Sequence, residues 1–234
     1  MSGIRLWNGD ICDLEVDAIV VPATTTLWMT SGAAAAVKQR GGHGIEFEAI
    51  ARGPQPLGSA VATGGGSLGC GTVIHAVSLG PDRRASAAAI GAATSAALRL
   101  ANQMDLRTVA MPALGSPLGG VPLAECARVM LRAMHQTLPE CASLVEVVVA
   151  LRSARTYAIF KEELGREPAL RAVPIVPGAN ARPAGVMSDS VRPAPSEAEE
   201  QPPAAPAVPG EQPPAAPATA APPGDTRRRH GGPS

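Results

Sequence analysis

The chain has 234 residues with 20 Lys+Arg against 20 Asp+Glu, a length that holds one sizeable domain or two small ones. Formal charge is zero overall, and 14 basic residues meet 14 acidic ones before residue 168, so no basic field exists to hold duplex nucleic acid by counterion release. The start, Met1-Ser2-Gly3-Ile4-Arg5, has no apolar signal stretch and no run is long enough to span a bilayer, which predicts a soluble cytoplasmic protein without a membrane partner.

Taken in order, Ile4-Arg5-Leu6-Trp7 alternates weakly, like an edge strand, and stops at Asn8-Gly9-Asp10. Ala18-Ile19-Val20-Val21 is a continuous apolar run, the pattern of a strand covered on both faces. The polar Thr24-Thr25-Thr26 leads through Leu27-Trp28-Met29 to Thr30-Ser31-Gly32; a helix is expected from Ala33 to Gln39, closed by Gly41-Gly42. A short helix follows over Ile45–Ala51, then strands near Ser59–Thr63 and Thr72–Val77. An Ala-rich helix over 85–103 carries Ile90, Thr94, Ala97 and Leu98 along one face. Thr108-Val109-Ala110-Met111 is another buried strand, opening into the Gly- and Pro-rich loop 112–120. Pro122 suits the first turn of a helix over 122–137. Val145–Leu151 is the last strand, and Ser153 can cap a final helix holding Tyr157 and Phe160.

Beyond this point the composition changes. All five aromatics precede residue 161, while 16 of the 24 prolines lie from Pro168 onward. Such a segment buries too little apolar area to offset the entropy of ordering it. Residues 1–167 are therefore read as the one folded domain and 168–234 as a disordered Pro/Ala-rich tail. The tail repeats Glu-Gln-Pro-Pro-Ala-Ala-Pro-Ala at 200–207 and 211–218, an eleven-residue period that reads as an extended spacer with an unknown protein as a conceivable contact. The four cysteines are scattered without metal-ligand spacing and fit buried free thiols. No Ser-His-Asp or Cys-His set and no paired carboxylates stand out. His75, inside an apolar strand, is read as structural, His43 as exposed, and Trp28 and Met29 as packing at the base of their loop.

Alternating strands and helices imply an α/β fold whose mostly parallel sheet lies between helix layers. Ligands on such sheets sit beyond the carboxyl ends of the strands. The segments Thr24–Gly32 and Gly115–Gly120 both leave strands there and enter helix N-termini, where backbone N–H groups favour an anion.

Several segments resemble the macrodomain family: Gly9-Asp10-Ile11, Val16-Asp17-Ala18-Ile19-Val20, Leu27-Trp28-Met29 before a small-residue helix, Lys38 to Gly42, Val73-Ile74-His75-Ala76-Val77, and Met111-Pro112-Ala113-Leu114-Gly115 with Gly119-Gly120. The resemblance spans residues 5 to about 163. It implies a three-layer α/β/α sandwich with a mixed central sheet that binds ADP-ribose, some members hydrolysing ADP-ribosyl bonds, with no cofactor or metal. It makes Asp10, followed by Ile11, the adenine-reading position, accepting from the exocyclic amine. Ser31, Gly32 and Ala33 fall in the first phosphate loop, where the family usually has consecutive glycines; Ser31 either offers its hydroxyl to the ligand or caps the helix. Gly115, Ser116, Leu118, Gly119 and Gly120 fall in the second phosphate loop, where Pro117 replaces a glycine and removes one donor. One lost hydrogen bond to a charged group costs roughly 1.5–3 kcal/mol. Thr24 stands for the ribose-contacting asparagine, keeping a hydroxyl but losing the amide's paired functions. Arg152 occupies the place of an adenine-stacking aromatic, and either stacks or is simply solvated.

Three functions follow. An ADP-ribose or ADP-ribosylated-protein binding module ranks first, with weakened binding and little catalysis. A degenerate scaffold for protein interaction ranks second, and an ADP-ribosyl hydrolase or ADP-ribose-1''-phosphate phosphatase third, because Thr24 and the thinned glycines weaken the case for a positioned water.

Overall fold

The structure, a computed structural model, describes residues 3–115 and 119–166. The expected tail at 168–234 and the loop positions Ser116, Pro117 and Leu118 lie outside the described residues. Six strands form one sheet: β1 (Gly3–Asn8), β2 (Ala18–Thr24), β3 (Ala60–Gly64), β4 (Thr72–Leu79), β5 (Thr108–Pro112) and β6 (Glu146–Leu151). Their order is β1-β6-β5-β2-β4-β3, with β3 antiparallel to β4 and every other pairing parallel. β1 is an edge strand, as its weak alternation predicts.

The helices are α1 (Gly32–Gly41), α2 (Gly44–Ala51), α3 (Ala87–Gln103), α4 (Leu123–Thr137) and α5 (Ala154–Arg166). Along β2 the residues Ala18, Ile19, Val20 and Val21 are fully buried because both faces of the sheet are covered. Ala18 and Val20 join Ile74, Met111 and Val149 against residues of α3, α4 and α5. Ile19 and Val21 join Val73, Ala110 and Val148 against Ala34, Val37 and Ile45 of α1 and α2. That is the three-layer α/β/α sandwich with a mixed sheet. Each valine or isoleucine buried in this way contributes about 1.5–3 kcal/mol.

Local chemistry sets the helix ends. Ser86 Oγ accepts from Ala89 N at 3.1 Å and starts α3 two residues later than expected. Ser153 Oγ accepts from Thr156 N at 3.1 Å, the cap foreseen for α5. Pro122 stands at the N-cap of α4, one position before the helix rather than inside it. Gly42, with φ 99°, closes α1 through its N–H to Lys38 O.

A buried carboxylate ties α2 to its surroundings, and a buried imidazole lies within the sheet. Glu46 accepts from Met29 N at 2.7 Å and from Lys38 Nζ at 2.9 Å, so one carboxylate joins the β2–α1 loop, α1 and α2. His75 lies wholly inside β4, its Nε2 3.0 Å from Thr63 Oγ1, while Nδ1 has no partner. Burial pushes its pKa down to about 4.

Two predictions follow from these groups. Glu46→Ala leaves the Lys38 ammonium and the Met29 N–H without their acceptor, and should lower stability by about 2–3 kcal/mol, discounted for the partly exposed lysine. An unchanged denaturant midpoint would remove the clasp from the account. For His75 the folded pKa is below the ordinary 6.5, so the native state resists a proton that the unfolded chain accepts. Its neutral-state stability is complete above pH 6.5 and declines as pH falls towards 4, by about 3 kcal/mol in all. Thermal midpoints measured from pH 7 to 4.5 should drop more steeply for the natural chain than for His75→Gln; parallel curves would refute the assignment.

Candidate functional site

The parallel strands β1, β6, β5, β2 and β4 all end at one rim, which gathers the described predicted residues from the ends of four of them, β1, β2, β5 and β6. At that rim β2 and β5 part. Their pairing is limited to Ala18↔Val109 and Ile19↔Ala110, whereas β2 runs on to Thr24 and β5 to Pro112. The β2–α1 loop and the loop that follows β5 leave from the two sides of this gap, the kind of crevice in which open α/β sheets bind ligands.

The first loop is held in a demanding conformation. Leu27 has φ 64° although it is not glycine, and its N–H donates to Thr24 O at 3.0 Å. The conformation costs about 1–2 kcal/mol, offset by complete burial of the Leu27 side chain with Ala23, Ala49 and Val77. Met29 is buried beside it, but Trp28, expected to pack at the loop base, is 52% exposed. Its neighbours on both sides take the inward positions and turn the indole out. Thr24 follows a register break between Ala23 and Thr24, and its Oγ1 is 3.1 Å from Thr26 Oγ1.

Ser31 does stand at the N-cap of α1, with extended φ of −160°, but its hydroxyl makes no capping bond. Of its two expected uses, capping is therefore ruled out: Oγ instead accepts from the Arg83 guanidinium. Gly32 carries the positive φ, 60°, and Ala33 lies in the first turn. Ser31 and Thr30 lie outside the positive-φ region, so the one surviving glycine occupies the position that requires one.

In the second loop Gly115 (φ 76°) and Gly120 (φ 78°) also need glycine's freedom. A Cβ on Gly119 would strike Gly115 O and come within 2.7 Å of Ala85 Cβ. The close approach to Ala85 is sealed by Ala85 N donating to Gly119 O at 2.9 Å. Leu114 and Gly115 are buried, whereas Gly120 is exposed.

Asp10 caps a 3-10 turn (Ile11–Asp13), its Oδ1 accepting from Cys12 N at 3.0 Å, and Ile11 is buried. Its Oδ2 lies 3.7 Å from Arg152 Nη2, at the end of β6. Arg152 is thus solvated and also paired to the predicted adenine-reading carboxylate, a contact between ends of β1 and β6 that their sequence separation hid. Cys12, beside Asp10, has its thiol pushed up to about 11 by burial and by that carboxylate, which keeps it mainly as the neutral thiol at neutral pH. His43 is exposed, as expected.

Two residues of this rim escape sequence reasoning. Glu46, which fixes Met29, reads as one more acidic residue of a short helix. Arg83, in the loop between β4 and α3, reads as a solvated charge. A groove of about 510 Å³ lies elsewhere, between α3 and α4, lined by Gly91, Ser95, Arg99 and Gln136 among others, and shares no residue with these loops. No helix among the described residues is long and apolar enough to cross a membrane.

The Macro domain family matches residues 20–130 of the chain. An uncharacterized protein of Aquifex aeolicus is 38% identical over 146 residues, 62% of this chain and 88% of that protein. An uncharacterized protein of Aeropyrum pernix is 44% identical over 121 residues, 51% of this chain, and the match spans 64% of its length. Among solved structures, the Oceanobacillus iheyensis macrodomain with ADP matches with a TM-score of 0.63 at 25% identity, over 70% of this chain and 90% of that one. The Trypanosoma brucei macrodomain in complex with ADP-ribose matches at 0.63 and 24% identity, over 68% of each chain. With a family match, a relative aligned along most of its length and a shared fold, the chain belongs to the macrodomain family.

Proposed function

We propose that this chain is an ADP-ribose-binding module, taking free ADP-ribose or an ADP-ribosylated protein, with weakened affinity and little catalysis. One observation carries the reading. Two loops that carry positive-φ glycines, Gly32 on one side and Gly115 and Gly120 on the other, flank the gap between β2 and β5 at the rim that also holds Asp10. In this reading Asp10 and Ile11 receive the adenine, with Arg152 over or beside the ring. Ser31, Gly32 and Ala33, with Gly115, Ser116, Leu118, Gly119 and Gly120, surround the diphosphate. Thr24 offers its hydroxyl to the distal ribose. Related macrodomain structures with ADP-ribose and with ADP favour the same ligand class.

The weakening is argued from Pro117, which has no N–H, and from Thr24, already engaged with Thr26. Thr24 lacks the amide that would hold a water by donor and acceptor together, so binding is ranked above hydrolysis. We also read 1–167 as the folded unit and 168–234 as a disordered tether, on composition alone, and place the protein in the cytoplasm, where four buried free thiols persist.

Calorimetric titration of the full chain with ADP-ribose should show saturable binding. Asp10→Ala, with its thermal midpoint checked, should weaken it by roughly tenfold or more through loss of a charge-assisted hydrogen bond. No heat and no thermal shift with ADP-ribose or ADP would leave the scaffold reading in its place. In a second experiment, Thr24→Asn with Pro117→Gly should tighten binding about tenfold by restoring one charged-group hydrogen bond; unchanged affinity would show that the loop roles are misassigned. Release of ADP-ribose from modified protein by the natural chain, lost in Thr24→Ala, would reverse the ranking of binding over hydrolysis.

A further inference from the structure

We propose that Arg83, in the loop joining β4 to α3, is a third anion ligand of this site, its guanidinium meeting the diphosphate and making the site selective for diphosphate over monophosphate or uncharged nucleosides; this rests on the reading just given. The loop is built as a bridge between the other two. Gly80 N donates to Arg84 O at 2.8 Å, Arg83 N donates to Gly80 O at 2.9 Å, and Arg84 N donates to Asp82 Oδ1 at 3.0 Å, closing a tight turn. One side of this turn touches the second loop through Ala85 N and Gly119 O at 2.9 Å. The other side reaches the first loop, where the Arg83 guanidinium donates to Ser31 Oγ.

Three features single out Arg83 from a solvated surface arginine. Its backbone is in the left-handed region at φ 63°, a conformation that costs free energy for any residue other than glycine, and its side chain reaches from that turn to the first loop. Its guanidinium meets a neutral hydroxyl on the first loop, Ser31 Oγ, and not a carboxylate. Its contact also keeps Ser31 from capping α1, so the first-turn N–H groups of that helix lack a side-chain acceptor, and that turn holds no acidic residue. A planar, permanently charged fork beside open helix-end donors is the arrangement that matches phosphate oxygens. The two glycine-bearing loops themselves supply only neutral donors, so Arg83 is the charge that offsets a dianionic linkage there. Ligand entry exchanges the Ser31 hydroxyl for a phosphate oxygen on the same guanidinium.

The test is calorimetry on the full chain with ADP-ribose, ADP, AMP and adenosine, comparing the natural protein with Arg83→Ala and Arg83→Lys. Arg83→Ala should weaken ADP-ribose and ADP by roughly tenfold or more, leave adenosine unchanged and flatten the dependence of ADP-ribose affinity on KCl. Arg83→Lys should restore the charge and part of the affinity. Thermal midpoints of both variants should match the natural chain, because the residue is exposed. ADP-ribose affinity unchanged in Arg83→Ala but lost in Asp10→Ala would overturn this inference alone. Equal weakening of adenosine and ADP would also overturn it, marking a merely structural role. Absence of any nucleotide binding by the natural chain would overturn the functional reading and this inference with it.

Discussion

The structure of the rim depends on how β2 and β5 are held: clamped at one end and released at the other. At the entry to β2, Asp17 Oδ2 accepts from Arg107 N and Thr108 N, both at 2.8 Å, while Asp17 N donates to Thr108 O and Oγ1. Two ladder pairs later the strands separate. A uniform ladder would carry the two loops away side by side, with their amides spent on each other. Separation instead frees the carboxyl ends of both strands, and Pro22, which has no donor for a ladder, lies in the released part of β2. The carboxylate of Asp17 at the far end of the strand is therefore as much a determinant of the crevice as any residue facing it.

A gap between strands is useful only if its walls stay put, and here the walls are tied from behind. Glu46 fixes Met29 to α1 and α2 together, and Leu27 is locked by complete burial in a conformation that it would not choose in a free peptide. The loop at 80–86 fastens to both neighbours, through Ser31 and through Gly119. Strain at Leu27 and Arg83 is maintained by packing and hydrogen bonds elsewhere, the usual circumstance of a preorganised site.

How much of this was readable in the sequence follows from the range of each interaction. The strands around Ala18–Val21 and Thr108–Met111 announce themselves because burial on both faces demands unbroken apolar runs, and helix limits at Ser153 and Gly42 follow from neighbours only a few residues away. The three-layer sandwich followed from that alternation and from the family resemblance. What escaped the sequence has two sources. At Trp28 the competition is local: Leu27 and Met29 take the inward positions and leave the larger aromatic outside. The link between Asp10 and Arg152 spans almost the whole domain, and the contact between Ser31 and Arg83 bridges 52 positions. No local pattern encodes either; both arise because parallel strands deliver distant segments to one rim.

The same comparison changes the meaning of the missing glycines. Read as letters beside the family resemblance, Thr30-Ser31-Gly32 is a proposed phosphate loop with most of the expected glycine missing. As backbone, it retains glycine where φ is positive and replaces it where an extended residue fits without strain. Gly119 survives for a different reason, that a side chain there would collide with Gly115 O. What a glycine-rich loop contributes is a backbone path and a set of N–H groups, and neither is lost when a residue with ordinary φ acquires a side chain. Thr24 is different in kind, because in the proposed reading its side chain itself would carry the role, and a hydroxyl bonded to Thr26 lacks the paired donor and acceptor of an amide. On the proposed reading the two departures are therefore independent: the first bears on the backbone path around the diphosphate, and the second on the distal ribose.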